Sequence, residues 1–173
     1  MDIGEVNRRV KRLARNFEKE LVGVMAKDSG MFVDYVHEQL FAGVNGRGKP
    51  LRPTYLTDPY FKEEYGENWK GAARGYMEWK WEKSYPKMPS WLGFQPRKKE
   101  TPNLIITGEF YYSIYADKTA KGLEIGTRGT TFGGDVEKKY GSVIFGITPA
   151  ARRHYMENRM NSELVRIFKK YTT

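Results

Sequence analysis

The side chains best suited to chemistry in this sequence are its two histidines, His37 and His154. His37 and Glu38 resemble the start of the zinc-binding motif H-E-x-x-H, in which two histidines one helical turn apart hold the metal. Phe41 occupies the position of the second histidine, so the metal-binding pair is absent. His154 follows two arginines early in the last predicted helix. We expect His37 to be a helix-surface residue and His154 to be solvated, and we expect no metal site and no cofactor.

Other motifs that carry enzyme chemistry are incomplete. Residues 43–48 read G-x-x-G-x-G, which is neither a dinucleotide fingerprint nor a P-loop and lacks a preceding strand, so a flexible turn is predicted. Glu63 and Glu64 are adjacent and point in different directions on a helix, which makes them a poor acid–base pair. The chain has no cysteine, and neither histidine lies near a serine nucleophile motif. We therefore predict no catalytic residues and a protein that is not an enzyme.

A basic cluster favours a different chemistry, binding to a polyanion. Arg97, Lys98 and Lys99 follow Trp91 and Phe94, and basic side chains beside aromatic rings can track phosphates and stack on bases. The formal net charge is +9, which suits a nucleic-acid partner or an ordinary solvated surface. The charge alternates between segments, because residues 28–43 are acidic while residues 1–27 and 149–173 are basic. Charge-complementary protein interfaces account for that distribution equally well, and no nucleic-acid reading module is recognisable.

Length and composition indicate one folded domain over residues 1–173. A chain of 173 residues buries about 70% of its unfolded surface, enough for a core without metal or disulfide. Aromatic residues make up 14% of the chain, which excludes a disordered protein. The longest uncharged run has 12 residues, whereas a membrane span needs about 20. The first residues lack the form of a signal peptide, and the absence of cysteine fits a reducing compartment.

Amphipathic helices are predicted at both ends of the chain. Residues 5–28 carry apolar side chains at steps of three and four, with Asp28 as the stop, and a second helix runs from about Met31 to Ala42. The last helix, residues 149–171, begins with Thr148 as N-cap and Pro149 at its first position. Four apolar residues of the terminal helices should be buried: Phe17, Leu21, Leu164 and Phe168.

Between these helices the sequence predicts an irregular insertion and then strands. Residues 43–100 are punctuated by Gly and Pro yet hold all the tryptophans (Trp69, Trp79, Trp81 and Trp91), so we expect an ordered insertion with a helical piece at 68–83. Strands are expected at 104–106, 110–116, 123–127 and 142–147, with a short polar helix around 135–140. The predicted fold class is α+β, with the terminal helices packed on a small antiparallel sheet.

One segment suggests a family. Residues 107–114, T-G-E-F-Y-Y-S-I, resemble the T-G-x-L-x-x-S-I signature of tail-completion, or virion-morphogenesis, proteins of tailed bacteriophages, with Phe110 at the leucine position. In that family the signature is followed by a strand, a turn and a second strand that ends near G-T, and residues 123–127 resemble this ending. Phe145-Gly146-Ile147 resembles the short F-x-G strand that leads into the closing helix of the family. The insertion at 43–100 lies outside the common pattern and is similar to insertions in related proteins of phages that infect Bacteroidetes.

The resemblance implies a structural virion protein that performs no turnover. Members are small α+β subunits that assemble into a homomeric ring at the neck or the top of the tail, where they complete the tail or join it to the head. The implied partners are further copies of the chain, other neck and tail proteins and, non-specifically, DNA passing through the channel. The implied location is the virion, with the host cytoplasm before assembly. A basic nucleic-acid-binding accessory protein without sequence specificity is the alternative.

Two segments are candidate interfaces in such a ring. Trp79, Trp81 and Trp91 belong to the residue types that dominate interface hot spots, although they suit a satellite core within one chain equally well. The glycine-rich loop at 126–134 carries Arg128 and Phe132 as its large side chains, which can order against a neighbouring subunit or remain a solvated surface loop.

Overall fold

The computed structural model describes residues 2–61, 71–84, 90–105, 107–129 and 133–172. Its α-helices are α1 (Ile3–Lys27), α2 (Ser29–Phe41), α3 (Ala73–Lys83), α4 (Glu109–Tyr112), α5 (Gly133–Tyr140), α6 (Pro149–Tyr155) and α7 (Asn161–Thr172). Two strands, β1 (Ile114–Lys118) and β2 (Leu123–Thr127), form an antiparallel pair. The fold is α+β, and the prediction of terminal helices on a small antiparallel sheet is confirmed.

Helix α2 is the centre of the molecule, because its two faces enter two different apolar clusters. On one face Phe32 and Tyr35 join side chains from α1 and the C-terminal helices; this first cluster comprises Val24, Phe32, Tyr35, Ala151, Tyr155, Met160, Ile167 and Tyr171. On the other face Val36 and Leu40 meet the segment around β1; this second cluster comprises Val36, Leu40, Leu51, Phe110, Tyr111, Ile114, Ile144 and Phe145. Because α2 is buried against two clusters, only a narrow part of its surface faces solvent, and the helix accordingly carries few charged residues.

Helices α1 and α7 pack antiparallel along the first cluster. The Phe17 and Phe168 rings lie 5.9 Å apart, and the Tyr171 hydroxyl donates to Glu20 at 2.8 Å. Of the four residues expected to be buried, Phe17, Leu21 and Leu164 are half-buried against the cluster. The fourth, Phe168, is 46% exposed, so that prediction is wrong: it lies at the edge of the α1–α7 seam.

The C-terminal helical region begins as the sequence predicts. The Thr148 hydroxyl accepts from the Ala151 backbone N–H at 3.3 Å, and Pro149 takes the first helical position. A π-helical turn at Met156–Met160 separates α6 from α7. Beside it, the Asp28 carboxylate accepts from the Tyr155 hydroxyl and from the Arg159 guanidinium, both at 3.0 Å. This contact fixes the corner between α1 and α2 against the C-terminal helices.

The predicted strands are only partly correct. Residues 123–127 form β2 as expected, but 142–145 form a 3₁₀ turn that buries Ile144 and Phe145. The expected strand at 110–116 divides into α4 and β1, because Gly108, at φ 90°, starts a helical turn that places Phe110 in the second cluster. Leu104 and Ile105 are not in a strand, and Ile106 lies outside the described residues.

A buried amide joins α2 to the turn at 142–145. Gln39 is fully buried, and its Nε2 donates to the Ile144 carbonyl at 3.0 Å and to the Gly146 carbonyl at 2.6 Å. Gly46, in the turn predicted at 43–48, packs directly on Gly146, where a Cβ would meet backbone atoms at 2.5 Å. The turn is therefore fixed by close backbone packing.

The helix expected at 68–83 is present as α3, which begins at Ala73. Residues 62–70 lie outside the described residues, and they include Glu63, Glu64 and Trp69. In the described part of the chain, no helix combines the length and the apolar character needed to cross a lipid bilayer.

Candidate functional site

An open groove lies on the solvent side of α2 and is lined by described residues. It has a volume of about 450 Å³, within the range of ligand pockets. Its lining combines acidic, aromatic and apolar side chains: Asp34, His37, Glu38, Phe41, Trp91, Ile105 and Tyr111. The first four lie at helical spacing on one face of α2, so a single helix supplies the floor of the groove. We call it the acidic–aromatic groove.

His37 forms a wall of this groove and lies on the surface of α2, half-buried and held by α4. Its Nε2 lies 2.8 Å from the Tyr111 carbonyl oxygen, and its ring stacks on the Tyr111 ring with centroids 5.1 Å apart. Because a carbonyl oxygen only accepts, Nε2 carries the proton. The imidazole is therefore oriented by α4.

Trp91 forms the opposite wall and is held by two elements. Its backbone N–H donates to Glu38 Oε1 at 3.1 Å, and its ring packs on Tyr35 at 5.5 Å and on His154 at 5.1 Å. His154 is half-buried, and its Nδ1 lies 2.9 Å from the Tyr35 hydroxyl oxygen. The prediction that the His154 ring is solvated is therefore wrong. Half of the Trp91 surface remains exposed to the groove and to solvent.

The electrostatic character of the groove is negative. Asp34 is exposed and Glu38 is half-buried, and neither carboxylate is paired with a cation among the ion pairs of the described residues. Within the same part of the chain, no three metal-ligating side chains converge. Two carboxylates beside aromatic and apolar walls are suited to a cationic group carried on an apolar stem.

The basic cluster predicted to contact a polyanion is not a continuous surface. Arg97 is only 4% exposed; its guanidinium donates to the Thr101 carbonyl at 2.6 Å and to the Ser84 carbonyl at 3.2 Å. Burial lowers the pKa of Arg97. Lys99 pairs with Glu78, and Lys98 is exposed. The prediction is therefore wrong for Arg97, whose charge binds the protein's own backbone.

Trp79 and Trp81 lie on α3, which carries an aromatic layer. The Tyr76 ring contacts Tyr55, Phe61 and Trp79, at centroid distances of 5.5, 5.1 and 5.6 Å. Burial raises the pKa of Tyr76 above its usual range. The Arg97 guanidinium lies 5.2 Å from the centroid of Trp81. Trp79 and Trp81 thus make contacts within one chain, and their role in an interface remains a prediction.

Arg128, the cation of the candidate interface loop at 126–134, is exposed and held at the base of the β-hairpin. It pairs with Asp117, and its guanidinium lies 4.4 Å from the centroid of the Tyr115 ring. Its backbone N–H donates to the Ser113 carbonyl at 2.9 Å. Phe132 lies outside the described residues.

Comparisons with protein-family models, with curated proteins and with solved structures find no match to this chain.

The groove was not predicted from the sequence, although one signal pointed to it. Residues 28–43 form an acidic segment between two basic ones, and Asp34 and Glu38 are two of its carboxylates. The positions of Trp91, Ile105 and Tyr111 beside them depend on long-range packing, which local patterns do not contain.

Proposed function

We propose that this chain is a structural virion protein of a tailed bacteriophage, a subunit of a homomeric ring at the neck or the top of the tail. Such a ring completes the tail or joins it to the head through subunit interfaces, without turnover. In the virion its partners are further copies of itself and adjacent neck or tail proteins. The observation that carries this proposal is the structural position of the signature-like segment at 107–114.

That segment joins the two halves of the fold. Gly108 adopts a left-handed φ of 90° and starts α4, a conformation that glycine accepts at little cost. Phe110 and Ile114 then enter the second cluster, and the Ser113 hydroxyl donates to the Phe110 carbonyl at 2.7 Å. The hairpin β1–β2 follows, and the helical region from Pro149 packs back on α1. This order of elements agrees with what the resemblance implies.

Exposed apolar side chains offer the subunit positions for contact. Tyr112 of α4 is 87% exposed, Ile3 of α1 is 86% exposed and Val165 of α7 is 54% exposed. Single exposed apolar residues are normal on protein surfaces, so these positions are compatible with assembly but do not mark an interface by themselves. Tyr112 lies within the signature-like segment itself, so this segment combines core residues with a surface available for contact.

Direct DNA binding receives less support from the geometry. Of the three cations in the predicted cluster, Arg97 is buried and Lys99 is paired, which leaves Lys98 as an exposed cation with no ion pair to the described residues. A groove that tracks a phosphate backbone needs several free cations in a row. The accessory nucleic-acid-binding function therefore remains the alternative, to be tested by binding at several salt concentrations.

Genetic removal tests the proposal. A phage that encodes this chain is given an early stop codon in the gene, and lysates are examined by electron microscopy. We expect filled heads and tails that remain unjoined, or tails of aberrant length, and restoration of infectious particles by the wild-type chain supplied from a plasmid. The exposed-site variant Lys98→Ala serves as the matched control and should restore particles equally well. Normal, infectious particles without the chain would contradict the proposal.

A further inference from the structure

The N-terminal part of α1 carries an apolar stripe that its own chain does not cover. Ile3, Val6 and Val10 are 86%, 42% and 53% exposed. The same stripe continues into Leu13 and Phe17, which pack against the first cluster. The last turn of α7 reaches α1 only as far as Arg9, whose guanidinium donates to the Thr172 carbonyl. We call residues 3–11 the α1 overhang.

The α1 overhang presents positive charge beside this stripe. Lys11 directly follows Val10, about 100° around the helix, and makes no ion pair with any described residue. Arg9, on the other side of the stripe, pairs with Glu5 at 2.6 Å. The overhang also contains the N-terminus of a 25-residue helix, where the backbone dipole adds partial positive charge.

The acidic–aromatic groove has the complementary character. Asp34 and Glu38 lack cationic partners within the described part of the chain, and Phe41, Ile105 and the exposed half of Trp91 supply apolar surface. An amphipathic helix that lays apolar side chains into such a groove and places a lysine beside its carboxylates is a common mode of recognition. The two surfaces belong to the same sequence, so every copy carries both.

A chain cannot seat its own overhang in its own groove while α1 is intact. Val6 lies 22 residues before the corner at Asp28, which is about 33 Å along a helix. Phe41 lies 13 residues after that corner, at most about 20 Å away along α2. Val6 and Phe41 are therefore at least about 13 Å apart along the helix axes, whatever the angle between the helices, so an intact chain cannot place Val6 on its own Phe41.

We propose that the α1 overhang of one copy seats in the acidic–aromatic groove of the next copy. Val6 and Val10 then pack between Trp91 and Phe41, and Lys11 lies beside Asp34 and Glu38. Because two different surfaces meet, the contact is heterologous, and repeating it by rotation produces a closed ring. This inference rests on the proposed ring function and names the interface that closes it.

Engineered disulfides test the contact directly, since the 173 residues of the chain include no cysteine. The Val6→Cys variant is mixed with the Phe41→Cys variant under mild oxidation, and disulfide-linked heterodimer is measured on non-reducing gels. The matched control mixes Val6→Cys with Lys118→Cys, an exposed position on the β-hairpin. Asp34→Cys provides a second groove position if Phe41→Cys lowers the thermal midpoint.

We expect the groove pair to give about tenfold more heterodimer than the control pair, an effect that salt weakens. Adding Glu38→Lys to the groove variant should lower this yield, and adding Lys11→Glu to the partner should restore it. Equal yields from groove and control pairs, or disulfide formation by Val6→Cys alone at the same rate, would overturn the inference in favour of random or overhang–overhang contact.

These outcomes separate the inference from the proposed function. If cross-links are absent while the stop-codon phage fails to join heads and tails, the chain is a neck protein that closes its ring through other surfaces. If cross-links form while particles without the chain are normal, the contact exists but the proposed function is wrong.

Discussion

Replacing Arg97 by alanine should destabilise the fold rather than weaken contact with a polyanion. The side chain is 96% buried, and its guanidinium hydrogen-bonds two backbone carbonyls, those of Thr101 and Ser84. It also covers the face of the Trp81 ring. Arg97 therefore ties the end of the α3 segment to residues 97–101.

The expected loss follows from these contacts. Alanine leaves two buried carbonyl groups without donors, at about 1–3 kcal/mol each, and removes the packing of the aliphatic stem. Release of the guanidinium from burial offsets part of this cost, because its Nε has no partner among the described residues. A net loss of about 2–4 kcal/mol remains. With a urea dependence of about 3 kcal/mol per molar, the midpoint falls by about 1 M.

Urea unfolding followed by tryptophan fluorescence measures this change, with Lys98→Ala as the neighbouring control. Lys98 is exposed, so its removal should alter the free energy of unfolding by less than about 0.5 kcal/mol. Arg97→Lys should also destabilise, since an ammonium group cannot span the two carbonyls in the planar geometry of a guanidinium. An unchanged midpoint for Arg97→Ala, accompanied by weaker binding to DNA, would refute the structural role.

Three further predictions concern a buried lysine, a backbone contact and a loop. Burial lowers the pKa of Lys80 to about 8, whereas the pKa of an unfolded lysine is near 10.4. Between about pH 8 and 9 the unfolded chain therefore binds more protons at this residue, so the contribution of Lys80 to stability rises with pH. Lys80→Met should remove this contribution from the pH dependence of the urea midpoint. Gly46→Ala places a Cβ 2.5 Å from the Gly146 backbone and should lower the free energy of unfolding in urea by at least about 1–3 kcal/mol. The control Gly75→Ala in α3, where a Cβ meets nothing within 4 Å, should raise it by about 0.5–1 kcal/mol. Deleting residues 128–133 removes the exposed ion pair between Arg128 and Asp117, which contributes about 1 kcal/mol or less. The circular dichroism spectrum should therefore stay native, while infectious, tailed particles are lost. Normal infectivity of the deletion variant would exclude a joining role for the loop.

The terminal helices could be predicted because their information is local. Apolar steps of three and four determine α1, and Thr148 followed by Pro149 determines where the C-terminal helical region starts. The 3₁₀ turn at 142–145 could not be predicted, since Ile144 and Phe145 form a short apolar run that is equally compatible with a strand. Burial against α2 decides between the two.

The candidate site was hidden for the same reason. His37 is held by Tyr111, 74 residues away, and His154 by Tyr35, 119 residues away. Gln39 bonds to carbonyls more than 100 residues further along the chain. Such partners are determined by tertiary packing, so local sequence patterns do not predict them. The sequence predicts a polyanion partner for Arg97 because the cluster 97–99 is basic. Its actual acceptors are the backbone carbonyls of Thr101 and Ser84, which a local charge pattern does not reveal.

A cryo-electron microscopy reconstruction of purified virions from a phage that encodes this chain tests the central claim most directly. The account predicts cyclic density at the junction of head and tail into which α1, α2, the β-hairpin and the C-terminal helices fit as repeated subunits. Mass spectrometry of the same particles should detect the chain as a component. Particles that lack this chain, or that contain it only as a DNA-associated protein inside the head, would contradict the account.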